Sequence, residues 1–96
     1  MEIKEVIWLH QFLEKTERKH GVTADEVDEV LTSQPGIKRI ERGDVTGEHL
    51  YRALGKTHAG RHLAVFFILK KGGRALPISA RVMTRKERNN YERTKP

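Results

Sequence analysis

Arg81 closes an alternating run, Leu76-Pro77-Ile78-Ser79-Ala80-Arg81-Val82. Thr84-Arg85-Lys86-Glu87 follows at once, with Tyr91 one helical turn further on. A guanidinium offers five N–H donors in a fixed fork, the geometry that grips phosphate oxygens and the extra charge of a phosphorane-like transition state. Strict alternation would set Ser79 beside Arg81 on one strand face, where its hydroxyl can add a phosphate hydrogen bond. Glu87 and Tyr91, four apart on one helix face, supply a carboxylate and a phenol for proton transfer, and the ring can also stack on a base. Each residue has a structural reading too. Arg81 can sit in an ion pair, Glu87 occupies the third position of a capping box, and Tyr91 can simply pack on a sheet. Arg85, Lys86, Arg88 and Arg93 suit diffuse contacts along a phosphate backbone rather than chemistry.

Among the five histidines, His20 has the most informative place. It follows Lys19 and precedes Gly21 at the end of a helical stretch. An imidazole there can exchange protons near neutral pH, or continue the apolar stripe and favour the helix dipole. His58 and His62 flank Gly60 without an evident third ligand, so no metal site is expected. His10 and His49 stand alone. The chain has no Gly-rich phosphate loop, no His-Glu-x-x-His helix and no G-x-S-x-G elbow. Its carboxylates are scattered, which argues against a two-metal nuclease.

Residues 70–96 hold nine Lys/Arg against two Asp/Glu, whereas residues 1–69 hold ten against eleven. The net charge of +6 therefore comes from one segment. Such a concentration marks a surface for a polyanion, and nucleic acid is the first candidate; a solvated basic helix, or a face that an acidic partner protein covers, is the alternative. Zero Cys excludes a disulfide framework and a thiol nucleophile. The longest apolar run, Leu63 to Leu69, is too short to span a bilayer. Met1-Glu2-Ile3-Lys4-Glu5 lacks the pattern of a secretory signal. The expectation is a soluble cytoplasmic protein forming one domain over residues 1–96, with no membrane association.

The elements that would position these residues are legible from period and punctuation. Glu5-Val6-Ile7-Trp8 reads as a short extended lead-in. Leu9, Phe12, Leu13, Thr16 and His20 fall on one face of a helix over His10 to Lys19, with Gly21 as its left-handed cap. Thr23-Ala24-Asp25-Glu26 is a capping box with a Val22/Val27 staple, opening a helix to about Leu31. Gln34-Pro35-Gly36 is a turn signal. Strands are expected at Ile37 to Glu41, Glu48 to Leu54, His62 to Lys70 and Arg74 to Val82. The third is apolar on both faces and so central in the sheet. Gly72-Gly73 makes a hairpin, and Pro77 marks an edge position or a bulge. In the last strand alternation sets Leu76, Ile78, Ala80 and Val82 against Pro77, Ser79 and Arg81. Thr84 to Glu87 opens a final helix to about Arg93. The fold class is α+β, with helices on a three- to four-stranded, mainly antiparallel sheet.

Lys19-His20-Gly21-Val22 with Glu26, Gly47-Glu48 leading to Tyr51 and Gly55, Gly60-Arg61 with Leu63 and Val65, Ile78-Ser79-Ala80-Arg81, and Glu87-Arg88 with Tyr91 together resemble the BrnT family of bacterial toxins. The resemblance runs from about Trp8 to Tyr91. It implies a RelE-like fold and a ribonuclease toxin of a type II toxin–antitoxin pair, acting on RNA without cofactor or metal and inhibiting translation. It also implies a BrnA-like ribbon-helix-helix antitoxin as partner, with DNA engaged only through the complex. Carried over residue by residue, Lys19, His20, Arg61, Arg81, Glu87, Arg88 and Tyr91 become the expected site. The expected catalytic set is His20, Arg81, Glu87 and Tyr91; the RNA-binding set is Lys19, Arg61, Ser79, Arg85, Lys86 and Arg88. The chain departs from the family pattern at Leu9-His10, where Asp-Pro is usual. It departs again at Leu50, where a basic residue usually precedes the aromatic and where Arg52 stands on the same strand face instead, and at Pro77. A catalytically inactive nucleic-acid- or antitoxin-binding module of the same fold is the alternative.

Overall fold

The computed structural model describes residues 3–33, 35–41 and 49–94. The expected turn residue Gln34, the strand start at Glu48 and the Gly47-Glu48 pair lie outside them. Eight elements follow in order: β1 (Glu5–Val6), α1 (His10–His20), α2 (Ala24–Thr32), β2 (Gly36–Glu41), β3 (Leu50–Lys56), β4 (His62–Lys70), β5 (Arg74–Val82) and α3 (Arg85–Thr94). The strands form one sheet in the order β1-β5-β4-β3-β2, with β4 central, as its two apolar faces require. The sheet has five strands, not three or four, and it is mixed. The lead-in residues Glu5 and Val6 pair in parallel with Arg74 and Ala75, shielding the start of β5. Every other pairing is antiparallel.

The two helical layers begin on local signals. Gly21 adopts φ 63°, and its N–H caps α1 by donating to Glu17 O at 3.0 Å. Thr23 caps α2 in a complete box: Glu26 N donates to Thr23 Oγ1 at 3.2 Å and Thr23 N to Glu26 Oε1 at 3.1 Å. The second box is complete as well, with Glu87 N donating to Thr84 Oγ1 at 3.1 Å and Thr84 N to Glu87 Oε1 at 2.9 Å.

α1 packs on β5 and α2 on β3 and β4, covering one sheet face; α3 lies over β3 on the other. The main core joins Val22, Val27, Val30 and Leu31 to Ala53, Leu63, Val65, Phe67, Ala75 and Ala80. A smaller cluster of Leu54, Ala64 and Met83, with Phe66 and Tyr91 against it, sits under α3. Gly55 lies inside β3, which runs two residues past the expected end at Leu54. A Cβ there would approach Val30 Cγ1 to 2.9 Å, so its lack of a side chain lets α2 seat on the sheet.

One expectation about β5 is corrected. Phe66 pairs with Ser79 but Phe67 with Pro77, so Ile78 is the extra residue of a bulge. Pro77 has no N–H to give the ladder, and the bulge absorbs that gap. The alternation resets there. Ala75 and Ala80, five residues apart, both enter the main core, while Leu76 pairs with Ile68 on the other face. Leu76 and Ala80 therefore do not share a face. Ser79 and Arg81 lie beyond the bulge and keep their common register, opposite Phe66 and Ala64.

Candidate active site

The bulge aims Arg81 at the sheet face that α3 covers, and the Thr84 cap aims Glu87 at the same place. Arg81 Nη1 donates to Glu87 Oε1 at 2.7 Å and Nη2 to Oε2 at 3.0 Å, a two-pronged ion pair. Arg81 Nη1 also donates to its neighbour Val82 O at 3.3 Å. The guanidinium carbon lies 5.1 Å from the centroid of the Phe66 ring, so the cation rests on an aromatic face. From the other side, Arg52 Nη1 approaches Glu87 Oε2 at 3.5 Å. Two guanidiniums thus flank one carboxylate in a row of net charge +1.

Exposure differs along that row. The side chains of Glu87 and Arg52 are 8% and 18% exposed, while Arg81 keeps 34%. Burial pushes the Glu87 carboxyl up, but hydrogen bonds from Arg81 and the Thr84 amide, with the charges of Arg81 and Arg52, hold it below the usual carboxylate range. The bond to Glu87 raises the Arg81 pKa against a smaller effect of burial. Glu87 is therefore a carboxylate at neutral pH. Arg81 spends three of its donors on Glu87 and Val82, leaving Nε–H and one Nη2–H without a protein acceptor among the described residues.

Beside this row a cleft of about 270 Å³ opens between α3 and strands β2 and β3, lined by Lys38, Arg52, Leu54, Asn90, Tyr91 and Thr94 with Gly36 and Ile37. Tyr91 forms part of its wall, and its ring stands edge-on to His62 at 5.7 Å between centroids. His62 Nε2 lies 3.2 Å from Glu92 Oε1, tying the end of α3 to the start of β4.

The remaining expected residues fall into two groups. Arg85, Lys86 and Arg88 are exposed on α3, and Ser79 is half-buried on β5. Lys19 and His20 are exposed at the end of α1. The stripe of α1 is thus shorter than expected: Thr16 is buried and His20 is not. Arg61 lies beside them, its Nη1 donating to Gly21 O at 3.1 Å and to Glu26 at 2.7 and 2.9 Å. That pair holds the α1–α2 corner against the start of β4, and it helps to keep the Glu26 pKa low despite partial burial. Arg81, Glu87 and Tyr91 therefore gather under α3, while Lys19, His20 and Arg61 gather at the helical corner. Among the described residues no hydrogen bond or ion pair joins the two groups. His58 and His62 turn to different acids, Glu29 and Glu92.

Arg52 and Lys38 were not among the residues expected at the site. The sequence signals for Arg52 are its alternation with Leu54, a residue α3 covers, and its place on the strand face of Leu50, where the family usually carries a basic residue. Nothing local in the sequence sets Lys38 opposite Arg52, a register made by the β2–β3 pairing.

No helix among the described residues is long and apolar enough to cross a membrane. A comparison with curated proteins gave no significant match. A comparison with protein families matched residues 8–87, a span that holds both the helical corner and the Arg81–Glu87 pair, to BrnT, the ribonuclease toxin of type II toxin–antitoxin systems, and the chain belongs to that family.

Proposed function

We propose that this toxin is an endoribonuclease that inhibits translation by cutting RNA without a metal, the ribose 2′-hydroxyl attacking the adjacent phosphate. That reaction asks of a protein mainly alignment, charge compensation and proton transfer. The observation that carries the reading is the Arg81–Glu87 pair beside an open cleft. Glu87 takes one pair of Arg81 N–H groups and so holds the guanidinium in place, while Nε–H and one Nη2–H stay without a protein acceptor among the described residues and suit two phosphate oxygens.

Arg81 then holds the scissile phosphate with its two remaining donors and stabilises the charge that builds up in the transition state. Glu87, ionised at neutral pH, orients Arg81 and stands ready to accept a proton. Tyr91, in the cleft wall, supplies the other. His20 serves this role only if the substrate runs from α3 to the corner where Lys19 and Arg61 lie. Ser79 adds a hydrogen bond, and Arg85, Lys86 and Arg88 track neighbouring phosphates. We read the architecture as RelE-like and single-domain, the site of action as the cytoplasm, and the partner as a BrnA-like ribbon-helix-helix antitoxin through which the complex reaches DNA.

The test is inducible expression of wild type, Arg81→Ala and His20→Ala, with cleavage mapping of cellular RNA and of purified RNA in EDTA. Wild type should arrest growth and cut RNA in chelator, and Arg81→Ala should lose about 10²–10³ in rate. Intact RNA with tight, salt-sensitive binding would instead establish the non-catalytic module.

A further inference from the structure

The cleft beneath α3 contains a second cationic position that the cleavage step does not use. Lys38 and Arg52 are direct cross-strand partners on β2 and β3. Both line the cleft, and like charges so placed repel one another. Arg52 is mostly buried, yet among the described residues its only protein hydrogen bond is the long one of 3.5 Å to Glu87. Its Nε–H is buried with no hydrogen-bond partner among the described residues. Buried donors are nearly always satisfied, and a repelling cation pair is relieved by an anion between its members. Around the pair, Tyr91 offers an aromatic surface, while Asn90 and Thr94 offer amide and hydroxyl groups. The volume of about 270 Å³ is at the small end of ligand sites, a fit for one nucleotide unit.

Resting on the ribonuclease reading, we propose that this cleft is a nucleotide subsite adjoining the scissile position. Lys38 and Arg52 bind a backbone phosphate, and the base or ribose of the same unit lies against Tyr91 within reach of Asn90. Arg52 touches both this subsite and Glu87, so it couples the neighbouring nucleotide to the Arg81 fork. The subsite selects what lies next to the cut, whereas Arg81 acts at the cut itself.

The probe is a short 2′-deoxy oligonucleotide, which lacks the attacking hydroxyl and so reports binding without cleavage. Its affinity is measured against salt for wild type, Lys38→Gln, Arg52→Gln and Asn90→Ala, with Lys71→Gln on the β4–β5 turn as a control for lost charge. Lys38→Gln and Arg52→Gln should each weaken binding about tenfold and flatten the salt dependence by about 0.7 in log–log slope. Asn90→Ala should weaken binding with the slope unchanged, and Lys71→Gln should change affinity less than twofold. Lys38 is exposed, so its variant remains informative if Arg52→Gln folds poorly. Wild-type affinity and slope in Lys38→Gln would overturn the subsite even if the enzyme cuts RNA normally. Lys38-dependent binding by a wild type that cuts nothing would uphold the subsite and overturn the ribonuclease reading.

Discussion

Glu87 holds Arg81 by both carboxylate oxygens, at 2.7 and 3.0 Å, while the same carboxylate caps the helix that carries it through Thr84 N at 2.9 Å. One side chain therefore sets the start of α3, the orientation of the fork and the counter-charge for Arg52. A helix cap tolerates little displacement, so the guanidinium is positioned to the precision of the backbone.

That arrangement predicts a specific pH dependence. The folded pKa of Glu87 is below the unfolded value of about 4.3, so the folded state binds fewer protons in between. Its stabilisation is complete above the unfolded pKa and is lost as pH falls through the folded pKa. Urea midpoints should therefore hold steady from pH 7 to about pH 5 and drop in stronger acid. Glu87→Gln should be less stable at pH 7 by about 2 kcal/mol, because Arg52 loses its only counter-ion among the described residues while partly exposed Arg81 recovers water. In acid the variant should lose less than wild type. Parallel pH curves would show that Glu87 is not the titrating group.

Freeing Arg81 has a consequence for binding as well. Glu87→Gln should bind RNA several-fold more tightly than wild type, since a negative charge no longer stands beside the phosphate that the remaining Arg81 donors hold. Cleavage should nevertheless fall about 10²-fold if the carboxylate takes a proton. Filter binding and single-turnover kinetics on the same preparations separate the two effects.

Arg61 stitches the α1–α2 corner to β4 through Gly21 O and Glu26. Its side chain is 39% exposed, so solvent screening discounts the ion pair, and Arg61→Ala should cost about 1 kcal/mol. Glu26→Gln should cost a similar amount, and the double variant less than the sum, because the two share one interaction. Additive losses in thermal unfolding would show that the pair contributes nothing as a pair.

Gly55→Ala places a methyl 2.9 Å from Val30 Cγ1 and 3.4 Å from Pro35 Cβ. Overpacking of this kind should cost about 1–3 kcal/mol. Val30→Ala, destabilising alone, should return part of that loss in the double variant by making room. Strict additivity in urea unfolding would place the cost elsewhere.

What the sequence determined by itself was set by neighbours a few residues apart. Thr23 and Glu26, Thr84 and Glu87, and the Gly72-Gly73 turn each specify their geometry within one turn of chain, so both capping boxes and the β4–β5 hairpin were legible. The two apolar faces of His62–Lys70 likewise required a central strand. The pattern of Lys-His-Gly-Val, Ile-Ser-Ala-Arg and Glu-Arg-x-x-Tyr was enough to suggest the family. The rest depends on pairings across long stretches of chain. A two-residue strand at Glu5–Val6 carries too little pattern to announce its parallel partner near Arg74. The bulge at Ile78 follows from how Pro77 meets Phe67, and it reverses the face of Leu76. Arg52 meets Glu87 across 35 residues and faces Lys38 across a strand pair. No local propensity encodes those distances; packing on both faces of the sheet does.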